Sequence, residues 1–207
     1  MIYWILSFVL ILAFLLAVGY FVFWQHFFFR DPYREIPSGK NIVSPADGKV
    51  IRIIPISAHE LTIAKGILGK VKTLAGEFKD GVLVSIFMSP FDVHINRAPI
   101  DGKILSVRHT EGSFYRADSE EAFLNEKTEI VLENKYLGKI KILQIAGFVA
   151  RRIECFVKPK QTVVKGTRIG RIVHGSQVSL ILPKKVKLTV KVYQKVTAGE
   201  TILGAFT

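Results

Sequence analysis

Cysteine is nearly absent. The 207 residues contain one, Cys155, so a disulfide framework within the chain is excluded and a cysteine-built metal site lacks partners. Cys155 sits among alternating apolar residues in "RRIECFVKP", which fits a buried structural thiol. Histidine is sparse too. No two of His26, His59, His94, His109 and His174 stand at the His-x-His spacing that a zinc endopeptidase would use, and no metal is expected. Acidic residues number 17 against 29 Lys and Arg, which leaves a formal charge of +12. Charge itself is missing from residues 1–29, which contain no Asp, Glu, Lys or Arg.

That uncharged start is almost wholly aliphatic and aromatic over residues 2–24. A bilayer core needs about 20 apolar residues in a helix, so the run suffices for one span and is too short for two. It opens without basic residues and ends in "FWQHFFFR", a poor cleavage site. The expectation is an uncleaved membrane anchor over residues 1–29, with interfacial aromatics at its end. Arg30, Arg34 and Lys40 follow closely, which by the positive-inside tendency puts the following domain on the cytoplasmic side of a cell membrane. The basic remainder should be drawn to anionic phospholipid. Nothing in it resembles a nucleic-acid motif, so no nucleic-acid partner is expected.

A Pro- and Gly-containing linker, "RDPYREIPSGK", covers residues 30–40. Residues 41–207 then read as β. Segments such as "GKVIRII", "GVLVSIFM", "TEIVLEN" and "SQVSLILP" are short, rich in Val and Ile, and bounded by Gly, Pro, Asp or Asn. One stretch, "RADSEEAFLNEKT", suits a helix capped by Asp118 or Ser119. The predicted fold is mainly β, a compact sandwich or barrel-like domain with few helices, preceded by the membrane helix. Internal echoes support it. "PADGKVIRI" at Pro45 matches "PIDGKILSV" at Pro99, and "QTVVKGTRIG" at Gln161 matches "QKVTAGETIL" at Gln194. In each, a Gly permits a turn with positive φ before an alternating strand.

Three segments place polar residues in apolar strand context: "VSPADGKV" with Asp47, "FMSPFDVHINRAP" with Asp92, His94, Asn96 and Arg97, and "IVHGSQVSLILP" with Gly175 and Ser176. A Gly-Ser pair is usually only a turn, but it permits definite chemistry. The serine hydroxyl can attack the carbonyl of the preceding glycine, the least hindered residue for that position. The peptide becomes an ester, β-elimination releases the upstream chain, and the dehydroalanine left behind hydrolyses to a pyruvoyl group. Such a carbonyl can form a Schiff base with an amine and accept electrons from a departing carboxylate. In "FDVHINR", strand alternation would put Asp92, His94 and Asn96 on one face, and an imidazole there could move a proton near neutral pH. Asp47, in an Asp-Gly pair, is equally well explained as a turn residue. His174 adjoins the Gly-Ser pair.

In their order and spacing, "FFRDPYREIP", "IVSPADGKV", "FMSPFDVHINRAPIDGKI", "GSFYRAD…NEKTEIVL" and "QIAGFVARRIECFVKPKQTVVKGTRIGRIVHGSQVSLILP" are spread over nearly the whole charged part. They resemble short-form phosphatidylserine decarboxylase proenzymes, a family that includes archaetidylserine decarboxylase-like members. The resemblance implies a pyruvoyl-dependent carboxy-lyase of phospholipid biosynthesis that makes phosphatidylethanolamine. Scission would fall between Gly175 and Ser176, giving a large chain of residues 1–175 and a small pyruvoyl chain of residues 176–207 that remain together as a heterodimer. Ser176 would be the pyruvoyl precursor, His94 would serve decarboxylation, and Asp47 would match the aspartate of self-cleavage. Two departures stand out. Long-form relatives carry a second histidine where this chain has Arg97, and Leu-Gly-Ser-Thr where it has "HGSQ". The base that activates Ser176 therefore stays open between His94 and His174. The rival expectation is a lipoyl- or biotinyl-like β-sandwich membrane adaptor without catalysis. That reading lacks a displayed hairpin lysine.

Overall fold

The computed structural model describes residues 1–57, 78, 80–148, 152–173 and 176–206. His59, His174 and Gly175 lie outside the described residues. The chain opens with α1 (Ile2–Val22), followed by π-helical turns over Phe23–Phe28. The 21 residues of α1 rise about 30 Å, the thickness of a bilayer core. None of its side chains is buried against the rest of the molecule, so this apolar cylinder is long enough to cross a membrane.

The remainder is mainly β. The described strands are β1 (Asn41–Val43), β2 (Gly48–Ile56), β3 (Gly81–Met88), β4 (Ile95–Arg97), β5 (Gly102–Thr110), β6 (Lys127–Asn134), β7 (Gly138–Ile145), β8 (Arg152–Cys155), β9 (Thr162–Val163), β10 (Arg168–Val173), β11 (Ser176–Pro183), β12 (Lys187–Leu188), β13 (Lys195–Val196) and β14 (Ile202–Ala205). An eight-stranded antiparallel sheet runs β13-β2-β3-β11-β7-β6-β5-β9, and two three-stranded sheets run β1-β14-β12 and β4-β10-β8. The helix expected near Ser119 is a single 3-10 turn, Glu120–Leu124. Ser119 occupies its N-cap position without a side-chain capping bond.

The echoes in the sequence are the visible part of a two-fold internal repeat. The large sheet is palindromic about its centre, with β13, β2, β3 and β11 matching β9, β5, β6 and β7. The registers agree residue for residue: Lys195 and Val196 face Lys49 and Gly48, as Thr162 and Val163 face Lys103 and Gly102. Loop bonds repeat as well. Val50 N–H donates to Gln194 and Tyr193 N–H to Val50, while Ile104 N–H donates to Gln161 and Lys160 N–H to Ile104. Tyr193 and Lys160 both take φ of 72°. Gly166 and Gly199 hold φ of 85° and 80° and both pack on Ile36, where a Cβ would clash. The linker thus lies in a groove that only glycine leaves open.

The sheet is buried on both faces. Val84, Ile86 and Met88 of β3 and Val178, Leu180 and Leu182 of β11 join the main core with Ile42, Ile169, Ile172 and Leu203 from the small sheets. Leu83, Leu143, Ile145 and Ile181 point the other way and pack with Phe78 and Phe123. Such two-sided burial accounts for the near-continuous apolar run of β11.

Candidate active site

Ser176 is the first residue of β11 and is fully buried. It faces Met88 across the β3–β11 ladder, and its hydroxyl lies 3.4 Å from the Met88 sulfur. The same sulfur receives the Asn96 amide at 3.6 Å. Asn96 Oδ1 in turn accepts from Gln144 Nε2 at 2.8 Å. Four strands, β3, β4, β7 and β11, thus gather polar groups at the edge of an apolar core. Thioether sulfur is a weak acceptor, so the hydroxyl is placed without being held in a strong bond. Gln144 and Met88 were not singled out from the sequence. A lone amide in the apolar strand "KILQIAG" was the available signal.

The next residue anchors the strand from the other face. Gln177 is fully buried. Its amide donates to Ser179 Oγ at 2.8 Å and to Ser85 Oγ at 3.3 Å, and its oxygen accepts from Arg52 at 3.3 Å. Ser85 and Ser179 are themselves joined at 2.8 Å. A cut before Ser176 would leave these bonds, and the pairing of β11 with β3 and β7, in place.

His94 lies just before β4, so the expected single strand face for Asp92, His94 and Asn96 is not formed. The chain turns at Asp92 instead. Its carboxylate reaches back to the Ser89 N–H and hydroxyl, each at 2.7 Å, closing a local turn as short acidic side chains do. The Asp92 backbone carbonyl, not its carboxylate, orients His94, at 2.8 Å from Nδ1. A carbonyl only accepts, so Nδ1 carries a proton, and a second proton on the ring would sit on Nε2. The ring is 2% exposed and lies against Phe28, the last residue of the π-helical turns.

Asp47 is held by two charge-assisted or backbone bonds. Arg34 donates to Oδ2 and Ala198 N–H to Oδ1, each at 2.7 Å. The repeat supplies its twin: Asp101 Oδ1 accepts from Lys165 N–H at 2.6 Å. Both aspartates clamp the residue before a positive-φ glycine. Two residues before Asp47, the Pro45 carbonyl accepts from Arg97 N–H at 2.8 Å, next to Asn96. The Arg97 side chain donates to Asp31 and Pro32 of the linker and to the carbonyl of Gly166, which packs beside it. Asp31 also pairs with Arg168. Burial pulls the Arg97 guanidinium below its ordinary pKa, and Asp31 opposes that shift. The cation standing where long-form relatives have histidine is therefore committed to fastening the linker. Among the other histidines, His26 is exposed, and His109 reaches Thr128 and Glu126 on the sheet surface.

A sequence model described as phosphatidylserine decarboxylase matches residues 22–204. A phosphatidylserine decarboxylase proenzyme of Chlorobium phaeobacteroides is 44% identical over 182 residues, covering 87% of this chain and 78% of the relative. One from Desulfotalea psychrophila is 42% identical over 200 residues, covering 95% and 84%. A Methanocaldococcus jannaschii protein, provisionally named an archaetidylserine decarboxylase proenzyme, is 40% identical over 195 residues, covering 92% and 93%. These relatives do not favour the adaptor reading. The fold, the buried serine that opens a central strand and the match over most of both chains lead to one assignment: the chain belongs to the phosphatidylserine decarboxylase family.

Proposed function

We propose that this protein decarboxylates phosphatidylserine, or a related seryl phospholipid, to phosphatidylethanolamine, using a pyruvoyl group that it makes from Ser176. The observation that carries the reading is the placement of Ser176, buried at the start of a central strand whose next residue, Gln177, is bonded to Ser179 and Ser85. Attack of its hydroxyl on the Gly175 carbonyl moves the acyl group from nitrogen to oxygen. Elimination breaks the Cβ–Oγ bond and releases Gly175 as a carboxylate. Hydrolysis of the dehydroalanine expels ammonia and leaves the pyruvoyl end on residues 176–207. Residues 1–175 and 176–207 stay together as a heterodimer through the β11 ladders.

The residues present fit such a group, because the strand end that would bear it is fixed independently of the bond to be cut. Its carbonyl supplies an electron sink for the substrate amine and the carboxylate that departs. His94 is the proton donor to the carbon that carbon dioxide leaves, with Nδ1 fixed by Asp92 and Nε2 presenting the proton. Asp47 acts as a positioning residue for self-cleavage, through Pro45 and the Asn96–Met88 contact. The apolar helix anchors the protein in the cell membrane. Arg30, Arg34 and Lys40 favour a cytoplasmic domain, and the basic surface favours anionic lipid. The test is the Ser176→Ala variant, which should remain one chain and release no carbon dioxide from phosphatidylserine.

A further inference from the structure

The repeat places a hollow at the same position in each half of the sheet, and the two hollows differ in chemistry. One, on the Gln177 face of the β2–β3–β11 ladder and so on the face opposite the Ser176 side chain, has a volume of about 380 Å³ and is lined by Lys49, Lys195, Phe87, Phe91, Ser89, Asp92 and Gly48. Lys195, Lys49, Phe87 and Gln177 form one cross-strand row. The corresponding row in the other half has Thr162, Lys103 and Glu133. Lys195 and Phe87 stand here where that row has a hydroxyl and a carboxylate, and that row ends on Lys139 where this one ends on Gln177. The other hollow holds Lys40, Lys103, Lys135, Lys165 and Tyr136 together with the carboxylates of Asp101 and Glu133.

Three features direct the hollow towards a lipid headgroup. Lys49 stands two strands from Gln177, or about 10 Å, and Gln177 follows the reactive residue. The amine and phosphate of a seryl phospholipid are separated by two carbons and an oxygen, and a lysine stem covers the remaining distance. Phe91 is 70% exposed, meets Phe27 edge-on at 6.3 Å and accepts a bond from Arg30 through its carbonyl. The apolar wall of the hollow is thus continuous with the end of the membrane helix. Among the described residues Asp92 is the one carboxylate in the lining, and its Oδ2 is engaged by Ser89. Lys49 sits over the Tyr193 ring at 5.1 Å, which steadies its stem.

We propose that Lys49, backed by Lys195, binds the phosphodiester of the lipid substrate in this hollow. The proposal rests on the decarboxylase reading. Dihexanoyl-phosphatidylserine, used as dissolved monomer, removes general attraction to a charged bilayer from the measurement. With self-cleavage verified, Lys49→Gln should raise KM about ten-fold or more, the usual size for loss of a charge-assisted bond, with little change in kcat. Lys49→Arg should restore much of it, and Lys103→Gln should match wild type. An unchanged KM in Lys49→Gln, or an equal rise in Lys103→Gln, overturns the site.

Phosphorus-31 line broadening of dihexanoyl-phosphatidylethanolamine reads binding without turnover. Broadening lost in Lys49→Gln, in a protein that turns nothing over, would keep the phosphate site and remove the decarboxylase reading. Broadening unaffected by Lys49→Gln would remove the site alone. Inorganic phosphate should compete poorly. Equal competition would make this a free-phosphate site and overturn the lipid assignment.

Discussion

The imidazole of His94 lies on the ring of Phe28, with centroids 4.1 Å apart and planes inclined by 28°. Phe28 is 1% exposed, although it follows directly on α1, in which no residue is buried. The last turns of the apolar segment thus pack against the loop that carries His94. Removing residues 1–22 should free the protein from membranes and leave turnover of a soluble substrate intact. Removing residues 1–29 should uncover His94 and lower turnover. His94→Ala should lose about 10²- to 10⁴-fold in turnover per pyruvoyl group, the usual worth of a positioned acid. Wild-type turnover per pyruvoyl in His94→Ala would take His94 out of the mechanism.

The twin aspartates make an internal control. Asp47→Asn and Asp101→Asn each weaken a clamp on a positive-φ turn, and each should cost about 1–3 kcal/mol of stability. Only Asp47→Asn should slow the appearance of the two chains, because Pro45, two residues before Asp47, bonds Arg97 beside Asn96, whereas Pro99, two residues before Asp101, bonds Val43. Time courses of cleavage in the two variants decide the matter. Equal rates would leave Asp47 a clamp and nothing more.

Much of this was legible in the chain. Alternating Val and Ile marked the strands, and the Asp-Gly echoes marked β2 and β5. The register of glycines 166 and 199 followed from the same pattern. What could not be read was distance. Nothing local separates Phe28 from the apolar run before it, since both have the same composition. Arg97 looked like one member of a polar strand, yet its partner Asp31 lies 66 residues away in the linker. Strand alternation put Asp92 on one face with His94 and Asn96. The carboxylate was taken by a three-residue turn, and strand alternation does not foresee that. The Ser176–Met88–Asn96–Gln144 cluster joins four strands, so only the folded sheet brings it together.

Gln177 should matter after the cut more than before it. Gln177→Ala would leave Ser85, Ser179 and Arg52 short of a buried partner, a loss of about 1–3 kcal/mol. The new chain end should then fray. Cleavage should still occur, while the small chain exchanges or dissociates more readily under mild denaturant. Retention equal to wild type on a size-exclusion column in that denaturant would rule out the anchoring role.

Cys155 gives a pH prediction. Burial pushes its thiol above the ordinary value, and a bond to the Val157 carbonyl at 3.5 Å opposes the shift. The folded state thus holds the proton more tightly than the unfolded chain. Stability from this group is complete below the usual thiol pKa of about 8.5 and falls as pH rises through the higher folded value. Iodoacetamide should label the native protein slowly at pH 7 to 8 and faster only above that range, without loss of turnover. Rapid labelling at pH 7 would contradict the assignment.

The central claim is that Ser176 becomes the reactive end of a second chain, and intact mass measures it directly. The purified protein should give two species, residues 1–175 and residues 176–207, the smaller one lighter by one ammonia than the plain hydrolysis fragment. Ser176→Ala should give one species at full length. A wild-type protein of full-length mass, or a Ser176→Ala protein still cut at this bond, would contradict the account.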